Sequence, residues 1–201
     1  MVDRLRALAS GKVVVAHGLA VPLALRLAKE AEPAALVLSN GPLGALDPIT
    51  AACSRGARRL PTLAAAALRP TALRAWLASS AGMRRLVVNP YVMDRDMVVR
   101  VTEGWTSQPN RRRAVARWLG ELPSEATRTV APKCPTLLAW GDEDNLYPAH
   151  VADSATAWLP NSTHVRIPGA RHLHPIERPW ELADIVAELV AEQLSRTIGA
   201  E

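Results

Sequence analysis

Three short stretches place chemically competent side chains among small residues. Ala16-His17-Gly18-Leu19-Ala20 sets one imidazole in a run small enough for a sharp turn. Trp140-Gly141-Asp142-Glu143-Asp144, followed by Pro148, gathers carboxylates, and Gly169-Ala170-Arg171-His172-Leu173-His174-Pro175 sets two imidazoles on a loop that opens with glycine. An imidazole that removes a proton from an oxygen, oriented by a carboxylate, is a general base. A tight turn ahead of them in the chain completes the order nucleophile, acid, histidine.

Each stretch follows a segment that reads as a β-strand. Lys12 to His17 (KVVVAH) and Ala34 to Ser39 (AALVLS) are short β-branched or aliphatic runs without alternation, the pattern of strands covered on both faces. Between them Ala20 to Ala31 repeats Leu23, Leu27 and Ala31 at helical spacing, and Pro33 stops the pattern. A strand, a helix and a strand in about 30 residues predict a right-handed parallel crossover. A second such unit is predicted from Pro135 to Gly141 and Thr163 to Pro168, with a helix near His150 to Leu159 between them and a long one from Pro179 to Arg196 after them. In an open parallel sheet ligands bind beyond the carboxyl ends of the strands, where all three stretches lie.

Residues 45–134 read differently, as Ala- and Arg-rich helical patterns broken by Pro61, Pro70, Pro90, Pro109 and Pro123. Helices are predicted over Leu46 to Arg59, Thr62 to Leu68, Thr71 to Ala81, Asp94 to Trp105 and Asn110 to Leu122. The expected organisation is a core of residues 1–44 and 135–201 with a helical insertion at 45–134.

At the three stretches the chain resembles the α/β-hydrolase family. Pro135 to Pro148 is similar to the family's acid loop, Gly169 to Pro179 to its histidine loop with Glu177 and Pro179 beyond the histidine, and VVVAHGLA to its nucleophile elbow. The resemblance implies a partial α/β-hydrolase fold, with about four parallel strands flanked by helices and residues 45–134 as the helical cap. It implies Asp144 as the acid rather than Asp142, and His172 as the base rather than His174. It also implies hydrolysis of a small ester, lactone or amide held under the cap, without a cofactor or metal.

Two departures qualify that implication. Where the family carries its nucleophile this chain has Gly18, which tolerates the strained turn but has no atom with which to attack. The flanking glycines of the motif are Ala16 and Ala20, and the Leu19 N–H is the oxyanion-hole donor that the resemblance retains. Val2 to Ala9 reads as the helix that precedes the elbow strand, so the core is expected to be incomplete at its amino end, without the His-Gly loop that supplies a second donor. Activity is then expected to be weak or lost, the alternative being a non-catalytic protein that binds a ligand or a partner. An unpaired apolar strand at Lys12 to His17 predicts either a fragment or self-association through the open edge.

The remaining candidates have plainer readings. His17 is expected to be a packing residue; Ser39 and Asn40, just after the second strand, could reach the site, but Ser39-Asn40-Gly41-Pro42 is expected to be an ordinary turn. Cys53 would replace the nucleophile only if the insertion folded it over the elbow, and a buried structural thiol is the expected alternative. Trp76, Trp105 and Trp118 are expected in the core of the insertion. The chain has 201 residues, 49% of them hydrophobic, and 21% charged, which excludes a disordered polymer. Cys53 and Cys134 suit a reducing, cytoplasmic setting, no apolar run reaches membrane length, and neither a signal peptide nor a membrane partner is expected. Residues 55–117 carry 13 arginines against Asp94, Asp96 and Glu103, whereas residues 142–201 carry 10 acidic residues against 4 basic ones. Only Arg111 to Arg113 form a basic run, and no aromatic residues interleave it, so nucleic acid is not an expected partner.

Overall fold

The computed structural model describes residues 2–77, 79, 82, 85–89, 95–122 and 131–198. Its four strands, β1 (Val13–His17), β2 (Ala35–Ser39), β3 (Thr136–Gly141) and β4 (Ser162–Ile167), form one parallel sheet in the order β1-β2-β3-β4. Val15 aligns with Val37, Val37 with Leu137 and Leu137 with Thr163.

The two central strands are buried along their whole length, which is why they read as unbroken apolar runs. Their pleat sends alternate residues to opposite faces. Leu36, Leu38, Leu138 and Trp140 pack with Leu25 of helix α2 (Val21–Ala31) and with Leu159. Val37, Leu137 and Ala139 turn the other way, toward Leu182, Ile185, Val186 and Leu189 of a long carboxyl-terminal helix, Pro179–Ile198. Helix α1 (Val2–Ala9) lies against α2, with Ala9 beside Leu27 and Ala31. Helix α2 ends where Glu32 adopts a left-handed φ of 47° and Pro33 follows.

β1 is an edge strand, since one side pairs with β2 and, among the described residues, no strand pairs with the other; on its face Val15 is 51% exposed.

Between β2 and β3 the described residues form helices α3 (Pro48–Arg59), α4 (Pro61–Ala67), α5 (Pro70–Leu77), α6 (Arg95–Thr106) and α7 (Pro109–Glu121). Four of them begin at a proline, whose fixed φ suits a first helical turn, so Pro61, Pro70 and Pro109 start helices where the sequence reading made them breaks. Asp47 caps α3, accepting from the amides of Ile49 at 2.9 Å and Thr50 at 3.1 Å. The expected helix ends at Ala81 and Asp94 lie outside the described residues. Two expectations for this region fail. Cys53 is exposed on α3 rather than buried, and Trp76 is 48% exposed at the end of α5, whereas Trp105 and Trp118 are half-buried.

After β3 come α8 (His150–Ala155), shorter than expected, then β4, a four-residue helix α9 (His174–Glu177) that the sequence did not suggest, and α10 (Pro179–Ile198). Arg171 to Pro175 therefore leads directly into α9, with His174 as its first residue.

Candidate active site

β1 hands the chain to a 3-10 turn, Gly18–Ala20, and then to α2. The turn requires Gly18 to adopt φ +58°, a left-handed conformation that costs an L-residue roughly 1 kcal/mol. The loop after β2 presses against this turn, since a Cβ at Gly41 would overlap the carbonyl oxygen of Gly18. The Leu19 N–H, at the start of this helical turn, belongs to the set of amides that have no intrahelical acceptor.

β3 delivers the acid loop. Asp142 and Glu143 are exposed, whereas Asp144 is buried and accepts from four donors. Its Oδ1 accepts from the amides of Leu146 at 2.7 Å and Tyr147 at 3.2 Å. Its Oδ2 accepts from Asn40 Nδ2 at 2.5 Å and from His172 Nδ1 at 3.0 Å. Asn40, in a left-handed conformation with φ 38°, also accepts from the Gly141 amide at 2.9 Å through its Oδ1. One amide side chain therefore joins the end of β2 to the acid loop.

β4 delivers His172. With Nδ1–H committed to Asp144, the other nitrogen, Nε2, is left as an acceptor. That nitrogen faces the elbow, since a Cβ built at Gly18 would lie 3.5 Å from it. Gly18, His172 and Asp144 are thus brought into one line of contact.

His174 is not in that line. It is fully buried, with Nε2 2.5 Å from Ser39 Oγ, and Ser39 Oγ is also 3.0 Å from His17 Nδ1. Burial, reinforced by repulsion from His172, lowers the His174 pKa to about 4, with Asp144 partly offsetting it. Burial and the two neighbouring histidines likewise lower His17 well below the usual imidazole range. The His17 and His172 rings are 5.0 Å apart, and the Tyr147 ring is 5.9 Å from His172. Burial also raises the Tyr147 phenol, whose hydroxyl lies 3.2 Å from Thr50 Oγ1.

Ser39 and Asn40 are therefore not an ordinary turn, because both side chains bond to groups more than 100 residues away in sequence. Their polar types at the carboxyl end of a buried strand were the available signal. Among the described residues no group of three or more His, Cys, Asp or Glu is arranged to hold a metal ion.

A sequence profile described as the Alpha/beta hydrolase family matches residues 1–185. The chain belongs to that family. Within it, the uncharacterized hydrolase YugF of Bacillus subtilis (strain 168) is 32% identical over 71 residues, a stretch that spans 35% of this chain and a quarter of that protein. Solved structures align over nearly the whole chain. A thermophilic esterase from Thermogutta terrifontis superposes with a TM-score of 0.70 at 20% identity, over 95% of this chain and 68% of that one. The epoxide hydrolase CorEH gives 0.74 at 15% identity, over 94% and 71%, and MenH from S. aureus gives 0.74 at 16%, over 96% and 74%. At these identities the likeness establishes the α/β-hydrolase fold.

Proposed function

We propose that this chain is an α/β-hydrolase that keeps the base and acid of its family, His172 and Asp144, but has lost the covalent nucleophile at Gly18. The reading rests on one observation, the 3.5 Å between His172 Nε2 and a Cβ placed on Gly18: the base still faces a position that has no attacking atom. By family kinship the substrate is a small ester, lactone or amide, with residues 45–134 as the cap that covers it.

Without an acyl-enzyme, hydrolysis has one route. His172 Nε2 takes a proton from water as the water oxygen bonds to the carbonyl carbon, Asp144 holds the imidazole tautomer, and the Leu19 N–H stabilises the developing oxyanion. The bond to the leaving group then breaks, and His172 returns the proton to it. General-base assistance of this kind contributes about a hundredfold or more, far less than a complete nucleophilic site, so turnover is slow.

The test is a pair of measurements. The protein itself is expected to give only weak hydrolysis of p-nitrophenyl acetate and no labelling by a fluorophosphonate. Gly18→Ser is expected to become labelled and to raise hydrolysis about a hundredfold, with the gain removed by His172→Ala. Stoichiometric labelling of the unaltered protein, or an inert but folded Gly18→Ser, overturns the reading.

A second reading, a non-catalytic protein that pairs with another copy of itself, is favoured by the half-exposed Val15 on the open edge of β1. Light scattering coupled to size exclusion decides it, and a sharp monomer peak near 21.7 kDa removes it.

A further inference from the structure

Glu177 lies in α9, five residues past His172, and contacts nothing at the elbow. Its carboxylate instead reaches back across the chain. Oε1 accepts from the amide of Val88 at 2.6 Å and that of Asn89 at 3.2 Å, and Oε2 lies 3.4 Å from the amide of Arg171. The same short segment of the insertion is held at two further points: the Leu173 amide donates to Leu86 O at 2.8 Å, and Arg171 Nη1 donates to Val87 O at 3.2 Å. The residues on both sides of His172 are therefore bonded to residues 86–89.

An apolar joint lies beneath these bonds. Leu86 and Val87 are buried with Leu77 of α5, and Leu73, Met97, Leu146, Leu173 and Ile176 pack against them. Leu146 belongs to the acid loop and donates its amide to Asp144, while Leu173 follows His172. The segment 86–89 thus touches the loop that carries the acid and the loop that carries the base, and Glu177 is the charged group that fastens it. Hydrogen bonds to an ionised acceptor are stronger than neutral ones, and a carboxylate spanning three amides confines all three.

We infer that Glu177 is a positioning residue: by strapping residues 86–89 of the insertion to the histidine loop, it fixes the direction of the His172 ring between Asp144 and Gly18. The inference rests on the reading of His172 as the base but concerns the orientation of the ring, which is measurable without turnover.

The experiment is proton NMR of the whole chain with isotopically labelled histidine. It follows the His172 Nδ1–H resonance, held by Asp144, and hydrogen exchange at the Val88 and Asn89 amides. Glu177→Ala is expected to release both amides and to speed exchange of the His172 Nδ1–H about tenfold or broaden it away. Glu177→Gln, whose Oε1 still accepts from Val88 and Asn89, is expected to restore most of the signal, whereas Glu177→Met, of similar volume but without the acceptor, is expected not to, a split that simple loss of packing does not predict. Val88→Pro deletes a donor on the insertion side without altering the histidine loop and is expected to reproduce the loss.

If Glu177→Ala frees the amides but leaves the His172 resonance unchanged, the inference is overturned. If Glu177→Ala does not fold, Val88→Pro decides, and an unaltered His172 signal there overturns it equally. An inert Gly18→Ser would count against the catalytic reading alone, because neither NMR signal depends on it.

Discussion

The two halves of the candidate site are held by opposite means. Asp144 is buried under four hydrogen bonds that tie the end of β2, the acid loop and the histidine loop into one joint. Gly18 holds its turn through a left-handed backbone and the close approach of Gly41, with no side chain of its own to bond. Asp144 and His172 are therefore part of what closes the carboxyl edge of the sheet, whereas position 18 contributes no side chain to it. A change at position 18 removes no hydrogen bond of this joint, but one that removes Asp144 orphans three buried or part-buried donors besides the histidine. Persistence of the His172–Asp144 pair is accordingly expected with or without turnover.

The most direct way to break this contrast is Asp144→Ala. Asn40 Nδ2 and the amides of Leu146 and Tyr147 would lose their acceptor in a buried setting, and each unsatisfied donor costs roughly 1 to 3 kcal/mol. A loss of about 4 kcal/mol is expected in urea unfolding, with Asp144→Asn losing less because one acceptor oxygen remains. A loss below about 1 kcal/mol would mean that the joint is not structural and that the two halves do not differ as described.

The histidines on the Ser39 side sharpen the contrast through pH. His174 binds its proton with a pKa of about 4 in the folded chain against an ordinary value of 6.5, so between those values the unfolded chain holds the extra proton. Stability is therefore complete above pH 6.5 and falls as the pH drops toward 4, and His17, lowered in the same direction, adds to the fall. His174 alone contributes about 3 kcal/mol across that window, by the free-energy equivalent of its shift. Urea midpoints measured from pH 7.5 to 4.5 test this, and His174→Gln is expected to flatten the profile by one proton. An unchanged slope in that variant would place the linkage elsewhere.

Much of the framework was legible because the signals were local. β2 and β3 are buried on both faces, so their apolar runs end within a residue of the observed strands, and the acid and histidine loops follow β3 and β4 directly. The network around the pair was not legible, because Asn40 meets Asp144 across 104 residues and Ser39 meets His174 across 135. Ser-Asn-Gly-Pro reads as a turn by its residue types, and the polar pair at the carboxyl end of a buried strand is the one local signal until the strand order brings those partners together. Glu177 was visible only as a residue near a proline, and its partners at 88 and 89 lie in a stretch without periodic pattern. Trp76 and Cys53 show the converse failure, being residue types usually found inside: Cys53 is exposed on α3, which buries Ser54 and Ala57 instead, and Trp76 is half-exposed on α5, which buries Leu77.

The smallest effect is expected at the elbow, where substitution tests whether Gly18 is a backbone requirement or only a missing side chain. A Cβ there meets His172 Nε2 at 3.5 Å and Cε1 at 3.8 Å, ordinary van der Waals contact, so the cost comes from φ +58° and not from crowding. Gly18→Ala should therefore lose about 1 kcal/mol, the left-handed penalty for an L-residue. Gly18→Ser carries the same penalty, but its hydroxyl can donate to His172 Nε2, and a net gain of about 1 kcal/mol from that bond would bring the serine variant close to the unaltered protein. The difference between the two variants in urea unfolding thus reads the bond between the introduced hydroxyl and His172 itself, independently of any substrate. Equal losses for alanine and serine would show that His172 does not turn its free nitrogen to the elbow, and a loss in either variant as large as that of Asp144→Ala would show that the turn is as structural as the joint beside it.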